Sequence, residues 1–185
     1  MDRDRMFEIV DGVRARAGGD VDRMAVELFD TLCALDPSEV VGFHRECGRQ
    51  HRRMFVHPLW CAGDFAMGPL SDDAFADLRT HLLFQGLEAV DEVLAQPDAL
   101  AAHLPADLDQ VRVAHELAAA APDAYQYLTG VDLYEAHPRL ATTDLPDGHP
   151  LGAVLAPERR EDALPRLARW RRERTPSRSR LHRGR

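Results

Sequence analysis

The sequence contains no lysine; all 23 of its basic side chains are arginine. Without a side-chain amine, neither lysine Schiff-base chemistry nor a lysine-dependent phosphate loop is open to it. Cysteine is scarce and odd in number. Cys33, Cys47 and Cys61 stand 14 residues apart with no CxxC pair, the pattern of reduced, partly buried thiols rather than a disulfide framework. No window approaches 18 uninterrupted apolar residues, and the charged, then amphipathic opening MDRDRMFEIV has no signal-peptide apolar run. A cytoplasmic protein without a membrane segment is expected. Also missing are GxSxG, HExxH and a Gly-rich phosphate loop, so the sequence announces no reaction and calls for no cofactor.

What is present describes one folded core: 185 residues, 45% hydrophobic and 29% charged, fit a single domain. The formal net charge of −8 is unevenly spread, since residues 158–185 carry 11 Arg against four acidic side chains and the remainder carries 12 against 27. An acidic body repels polyanions, and only the basic end would recruit them.

Helical periodicity runs through most of the chain. Met6, Ile9, Val10 and Val13 predict a first helix over residues 4–17, opened by Asp4 and closed by Gly18-Gly19. Asp20 opens a second, whose apolar stripe runs from Val21 through Met24, Leu28 and Leu32 to Leu35. Asp36-Pro37-Ser38-Glu39 carries a capping-box signature for a third, reaching about Val56. Pro58 begins a fourth, ended by Gly68-Pro69, and Ser71 caps a fifth with Asp72 and Asp73 at its positive end. The stripe Phe75, Leu78, Leu82, Gly86, Ala89, Val93 predicts that this fifth helix is the longest, unbroken to about Ala95 and roughly 36 Å long. Gln96-Pro97-Asp98 ends it. Ala114, Ala118, Ala121, Tyr125 and Leu128 then mark a helix that kinks or divides at Pro122 and stops at Gly130. Residues 136–157 have no period and read as an irregular wrap; a last helix covers about 158–173, and residues 175–185 form a disordered Arg-rich tail. The expected fold is all-α: one bundle-like domain over residues 1–174 with no strand.

Within this frame, PLW at Pro58–Trp60, SDDAF at Ser71–Phe75, Arg79, Gln85-Gly86 and the PDAL turn at Pro97–Leu100 occur in a distinctive order. With Phe43, AYQYLTG at Ala124–Gly130 and LPRLARW at Leu164–Trp170, they resemble the bacterial domain-of-unknown-function family numbered 4240 over most of residues 3–172. The resemblance implies an intracellular helical domain and supplies no reaction. The chain departs from the family pattern in aromatic residues near Phe7, Leu78 and His81, in a Gly-Gly-Cys where Gly68-Pro69-Leu70 stands, and in an arginine at Leu87. If those groups form a ligand site in the family, this chain has lost much of it.

Three candidate sites follow from the residues. Trp60, Asp72, Asp73, Arg79 and Gln85 could make a ligand pocket where helix four meets helix five; capping and packing explain the same residues without a ligand. His44, Cys47 and His51 share one helical face at metal-ligand-like spacing, but three ligands from one straight helix rarely close a tetrahedron, so no metal is expected. Cys61 near His57 is a weak nucleophile-base pair. Nine Arg in residues 166–185 could neutralise phosphates, yet the acidic remainder disfavours nucleic acid. The reading is a non-catalytic module that binds a protein or small-molecule partner.

Overall fold

Acceptor side chains open several helices of this chain, and left-handed glycines close two of them. In the computed structural model, which describes residues 1–140 and 149–174, Asp2 accepts from Arg5 N at 2.9 Å and caps α1, Arg3–Ala17. Asp4, the expected cap, instead lies in the first turn, where its carboxylate opposes the positive end of the dipole. Gly18, at φ 65°, closes the helix in the left-handed conformation. Asp20 accepts from Arg23 N to start α2, Val21–Cys33. The capping box forms at α3, Pro37–Arg53, with Asp36 N donating to Glu39; the helix ends three residues before the expected Val56. His57–Met67 is α4 and Asp72–Phe84 is α5, the latter capped by Ser71 Oγ accepting from Ala74 N.

The expected long fifth helix is two helices. Gly86 sits at φ 105° and ψ 174°, which no helical residue adopts, and Leu87–Ala95 forms a separate α6. Periodicity missed the break because the apolar stripe continues in register across it. Gly86 is there for both conformation and space: a Cβ would lie 2.9 Å from Asp11 Oδ1. Among the described residues the longest helix is α3.

After α6 come α7 (Leu100–His103), α8 (Asp109–Arg112), α9 (His115–Thr129) and α10 (Leu133–Ala136). Pro122 does not divide α9, which continues through it to a left-handed Gly130. The expected final helix is also split, into α11 (Arg160–Ala163) and α12 (Pro165–Arg174), because Pro165 cannot continue α11 and instead supplies a first-turn residue to α12. Among the described residues there is no strand. One parallel bridge joins Val56 to Leu151, where His57 N donates to Leu151 O at 2.7 Å. The expected irregular wrap is seen at residues 149–156, but its beginning is helical, with Ala136 closing α10 and residues 138–140 in helix; residues 141–148 and the tail 175–185 lie outside the described residues.

Among the described elements helices pack on helices: α2 runs along α1 and α9, and α3 lies between α9 and α5. Met6, Val10, Leu28, Phe43, Leu78 and Leu82 are fully buried at the centre; each such side chain contributes about 1.5–3 kcal/mol. Gly63 lets α4 approach α5 closely, since a Cβ there would meet Leu70 and Leu78 inside 3 Å.

A second structural device holds the C-terminal helix. Asp98, only 4% exposed, accepts from Arg166 N and Leu167 N, both at 2.9 Å. Pro165 has no N–H and Leu164 has no acceptor side chain, so a carboxylate distant in sequence does the work of an N-cap. The PDAL turn and LPRLARW are thus in direct contact. The helix's arginines also meet the body: Arg166 faces Glu92, Arg171 stacks on Phe65, Arg172 pairs with Glu161, and Arg174 NH1 donates to Ala106 O.

Candidate functional site

At the helix-four to helix-five junction the aromatic residues come together. The Trp60 and Phe75 rings lie 4.4 Å apart, and Phe55 lies 6.1 Å from Trp60. Arg79 enters this cluster from α5, with its guanidinium carbon 4.9 Å from the Phe75 centroid and 5.1 Å from that of Phe55. It is 4% exposed, deeper than its offset from the apolar stripe suggested. Nε donates to Phe75 O at 3.3 Å and NH1 to His51 O at 3.1 Å.

His51 belongs to the last turn of α3, whose carbonyls lack intrahelical donors, and Phe55 N, which would bond to it in a continued helix, turns to Arg52 O instead. Arg79 therefore caps α3 from a neighbouring helix. Burial lowers its pKa to about 10, partly offset by the charge of Asp72, so the guanidinium stays charged at neutral pH.

The other junction candidates are placed differently. Asp72 and Asp73 are exposed in the first turn of α5. Gln85 follows the last residue of that helix, about 20 Å along the axis from Asp72. Its carbonyl accepts from Arg14, and it lines a separate open groove with Asp11 and Gly86. The structure brings Trp60 and Arg79 together, sets Asp72 near them electrostatically, and puts Gln85 elsewhere.

A better-formed concavity lies on the other side of α3. A cavity of about 140 Å³ is enclosed by α3, α5, α9 and α10. Its walls are mainly apolar, from Phe43, Leu83, Phe84, Leu117 and Ala121, and its polar groups are His44, Cys47, His51, Thr80 and Tyr134. Ala118, expected in the buried stripe of α9, is exposed at the cavity's edge, so the space reaches the surface there. Thr80 is 3% exposed and its single hydroxyl proton goes to Ala76 O at 3.0 Å. Its contact with His51 Nε2 at 3.2 Å therefore has the imidazole N–H as donor, which fixes the His51 tautomer. His44 meets Tyr134 edge to face, ring centroids 5.5 Å apart. The apolar face of α3 thus aims both histidines and Cys47 into one space. The His44-Cys47-His51 series was the sequence signal for it; Thr80 and Tyr134, from other elements, had none.

Among the described residues no group of three His, Cys, Asp or Glu side chains is arranged to hold a metal ion. Cys61 is buried and its Sγ accepts from Leu155 N at 3.4 Å, which makes it a wall thiol of α4. His81, also buried, meets the carbonyl of His103 through Nε2 at 3.0 Å; since a carbonyl only accepts, Nε2 carries the proton. Desolvation lowers the His81 pKa; the backbone bond to His103 opposes that shift and the charge of His103 adds to it. No helix of the described residues is long and apolar enough to cross a membrane.

No curated protein and no solved structure matches the chain. A family model does, across residues 1–127, a span that holds the junction, Asp98, and all of the cavity wall except Tyr134. The chain belongs to that family, described as Protein of unknown function (DUF4240).

Proposed function

We infer that the protein is a cytoplasmic, non-catalytic binding module, residues 1–174 acting as one domain, and that its ligand is a small, mostly apolar molecule carried in the cavity between α3, α5, α9 and α10. The observation that supports this is the cavity itself: about 140 Å³ of mainly apolar space with Thr80, His51, His44 and Tyr134 on its wall. A cavity of this size takes one six-membered ring, and polar groups set in apolar walls orient a ligand while burial supplies affinity.

The test uses phenol as the probe, read by saturation-transfer NMR, with native mass spectrometry of the freshly purified chain for any resident ligand. Binding is expected in the wild type and lost in Ala121→Leu, which fills the space, with helical content unchanged. No saturation transfer and no adduct in the wild type overturns the reading. Equal binding by a folded Ala121→Leu variant overturns the location.

A further inference from the structure

The outer face shared by α2 and α9 carries apolar side chains that the core does not use. Val26 is 63% exposed and Tyr127 is 74% exposed. Half-buried Phe29 joins them: it stands three residues after Val26 on α2, and its ring meets that of Tyr127 edge to face, centroids 5.8 Å apart. The three side chains therefore form one patch across two helices that run side by side, not scattered surface residues. Asp123 and Tyr127 lie roughly 120–160° round α9 from Ala121, so the patch faces away from the apolar cavity.

Unpaired carboxylates border this patch. Asp22 and Asp30 stand four residues before and after Val26, and Asp123 four residues before Tyr127, each on the face of its apolar neighbour. All three are exposed and make no ion pair or side-chain hydrogen bond among the described residues. The other charged groups of α2 beside them are engaged: Glu27 pairs with Arg16 at 2.8 Å, and Arg23 donates to Arg16 O at 3.5 Å, toward α1. The macrodipole accounts for Asp22, in the first turn of α2. It disfavours Asp30, which lies in the last turn with no basic residue there to offset it. Asp123 sits inside α9, where aspartate is a poor helix former and has no cap to make. Neither helix stability nor packing calls for Asp30 and Asp123.

We propose that this face of α2 and α9 docks a basic amphipathic helix of a partner protein, with Val26, Phe29 and Tyr127 taking its apolar side chains and Asp22, Asp30 and Asp123 pairing with its arginines or lysines. A third helix packs along the groove between two that run side by side. Asp22 and Asp30 are about 12 Å apart along the axis. Two basic side chains seven or eight residues apart on the partner helix match that distance and leave room for apolar residues between them. A second copy of this chain is disfavoured, because a two-fold contact sets the same carboxylates against each other. An anionic membrane surface is repelled for the same reason. Exposed charge pairs govern specificity and encounter more than affinity, so the complex is weak and salt-sensitive. The face is separate from the apolar cavity, and phenol does not report on it.

Amide NMR of the full chain tests it, by titration with an alanine-based helical peptide that carries two arginines seven residues apart and leucines three and four residues after the first. Two control peptides replace the arginines by glutamate or the leucines by alanine. Saturable shifts at Val26, Phe29 and Tyr127 are expected with the first peptide, weakening as salt rises. Asp30→Asn should weaken binding about threefold and Tyr127→Ala about tenfold, both at exposed positions and with helical content unchanged. Glu161→Gln, an exposed carboxylate paired with Arg172 on another face, should leave binding as it is. No saturable shift on this face, an equal response to either control peptide, or binding insensitive to both Asp30→Asn and Tyr127→Ala would each overturn the proposal. So would a dimer of the chain alone that sedimentation shows to be lost in Tyr127→Ala, which gives the face to a second copy, or binding of phosphatidylglycerol vesicles through it, which gives it to a membrane.

Discussion

Replacing Asp98 by alanine removes the carboxylate that accepts from two backbone donors at the start of α12, Arg166 N and Leu167 N. Both bonds are 2.9 Å long, both go to an ionised oxygen, and the carboxylate is almost wholly buried. Losing an N-cap costs about 1 kcal/mol, and leaving a buried donor unsatisfied costs about 1–3 kcal/mol. Water will enter once the side chain is truncated, so the lower end applies to each donor, and a total of about 3 kcal/mol is expected. In a domain of this length that corresponds to a drop of roughly 6–12 °C in Tm. Asp98→Asn keeps one acceptor and turns an amide N–H toward the other donor, so it should fall between wild type and alanine. Chemical denaturation measures the total. Hydrogen exchange locates it, with amides of Ala168–Arg174 exchanging up to about 100-fold faster in Asp98→Ala while α2 and α9 change less. If the alanine and asparagine variants both melt with the wild type, the carboxylate is not a cap and α12 is held by its apolar side chains and its arginine contacts.

Arg79→Met keeps the apolar stem but leaves the His51 carbonyl without its donor, and should cost about 1–2 kcal/mol in denaturant unfolding; Asp72→Asn, at an exposed first-turn position, should stay within about 0.5 kcal/mol, and equal stability of wild type and Arg79→Met would remove the capping role. His81 has a lowered pKa in the folded chain, so its neutral form contributes stability in full above the ordinary histidine value of about 6.5, and that contribution is lost as pH falls through the lower folded pKa. In His81→Gln, whose amide can still donate to His103 O, the fall in Tm between pH 7 and pH 5 should shrink; an unchanged pH dependence would show that the imidazole is not being protonated on unfolding.

The helix starts were legible because they are local. Asp20, Asp36 with Glu39, and Ser71 each bond to a backbone group or side chain within three residues, so the signal and its effect sit in one window. Where the reading failed, the cause lay elsewhere. Apolar periodicity carried the fifth helix through Gly86, since α6 resumes the same stripe after the break, and the junction shows only in the folded chain, in the positive-φ Gly86 backbone and its approach to Asp11. Asp98 read as the end of a helix, when its oxygens serve another helix some 70 residues on. Side-chain volume is equally hidden. Ala118 and Ala121 read as ordinary stripe positions, yet their small size leaves the cavity open beside His51 and Thr80.

The last turn of α3 shows how one short stretch serves both faces of the molecule. The His51 carbonyl accepts from Arg79 on the aromatic side, while its imidazole donates to Thr80 at the cavity wall. The two acceptor and donor groups belong to one residue, and Arg79 and Thr80 are neighbours on α5. A ligand that pulls on the His51 ring must therefore also load the Arg79 bond or rotate the ring about a fixed backbone. The second is the softer motion, because χ2 of histidine is a broad torsion and the capped carbonyl is not. Ligand entry at the cavity should consequently reorient the His51 side chain and leave the α3–α5 crossing in place, and the side-chain imidazole resonances of His51 should shift on phenol addition while the indole resonance of Trp60 stays where it is.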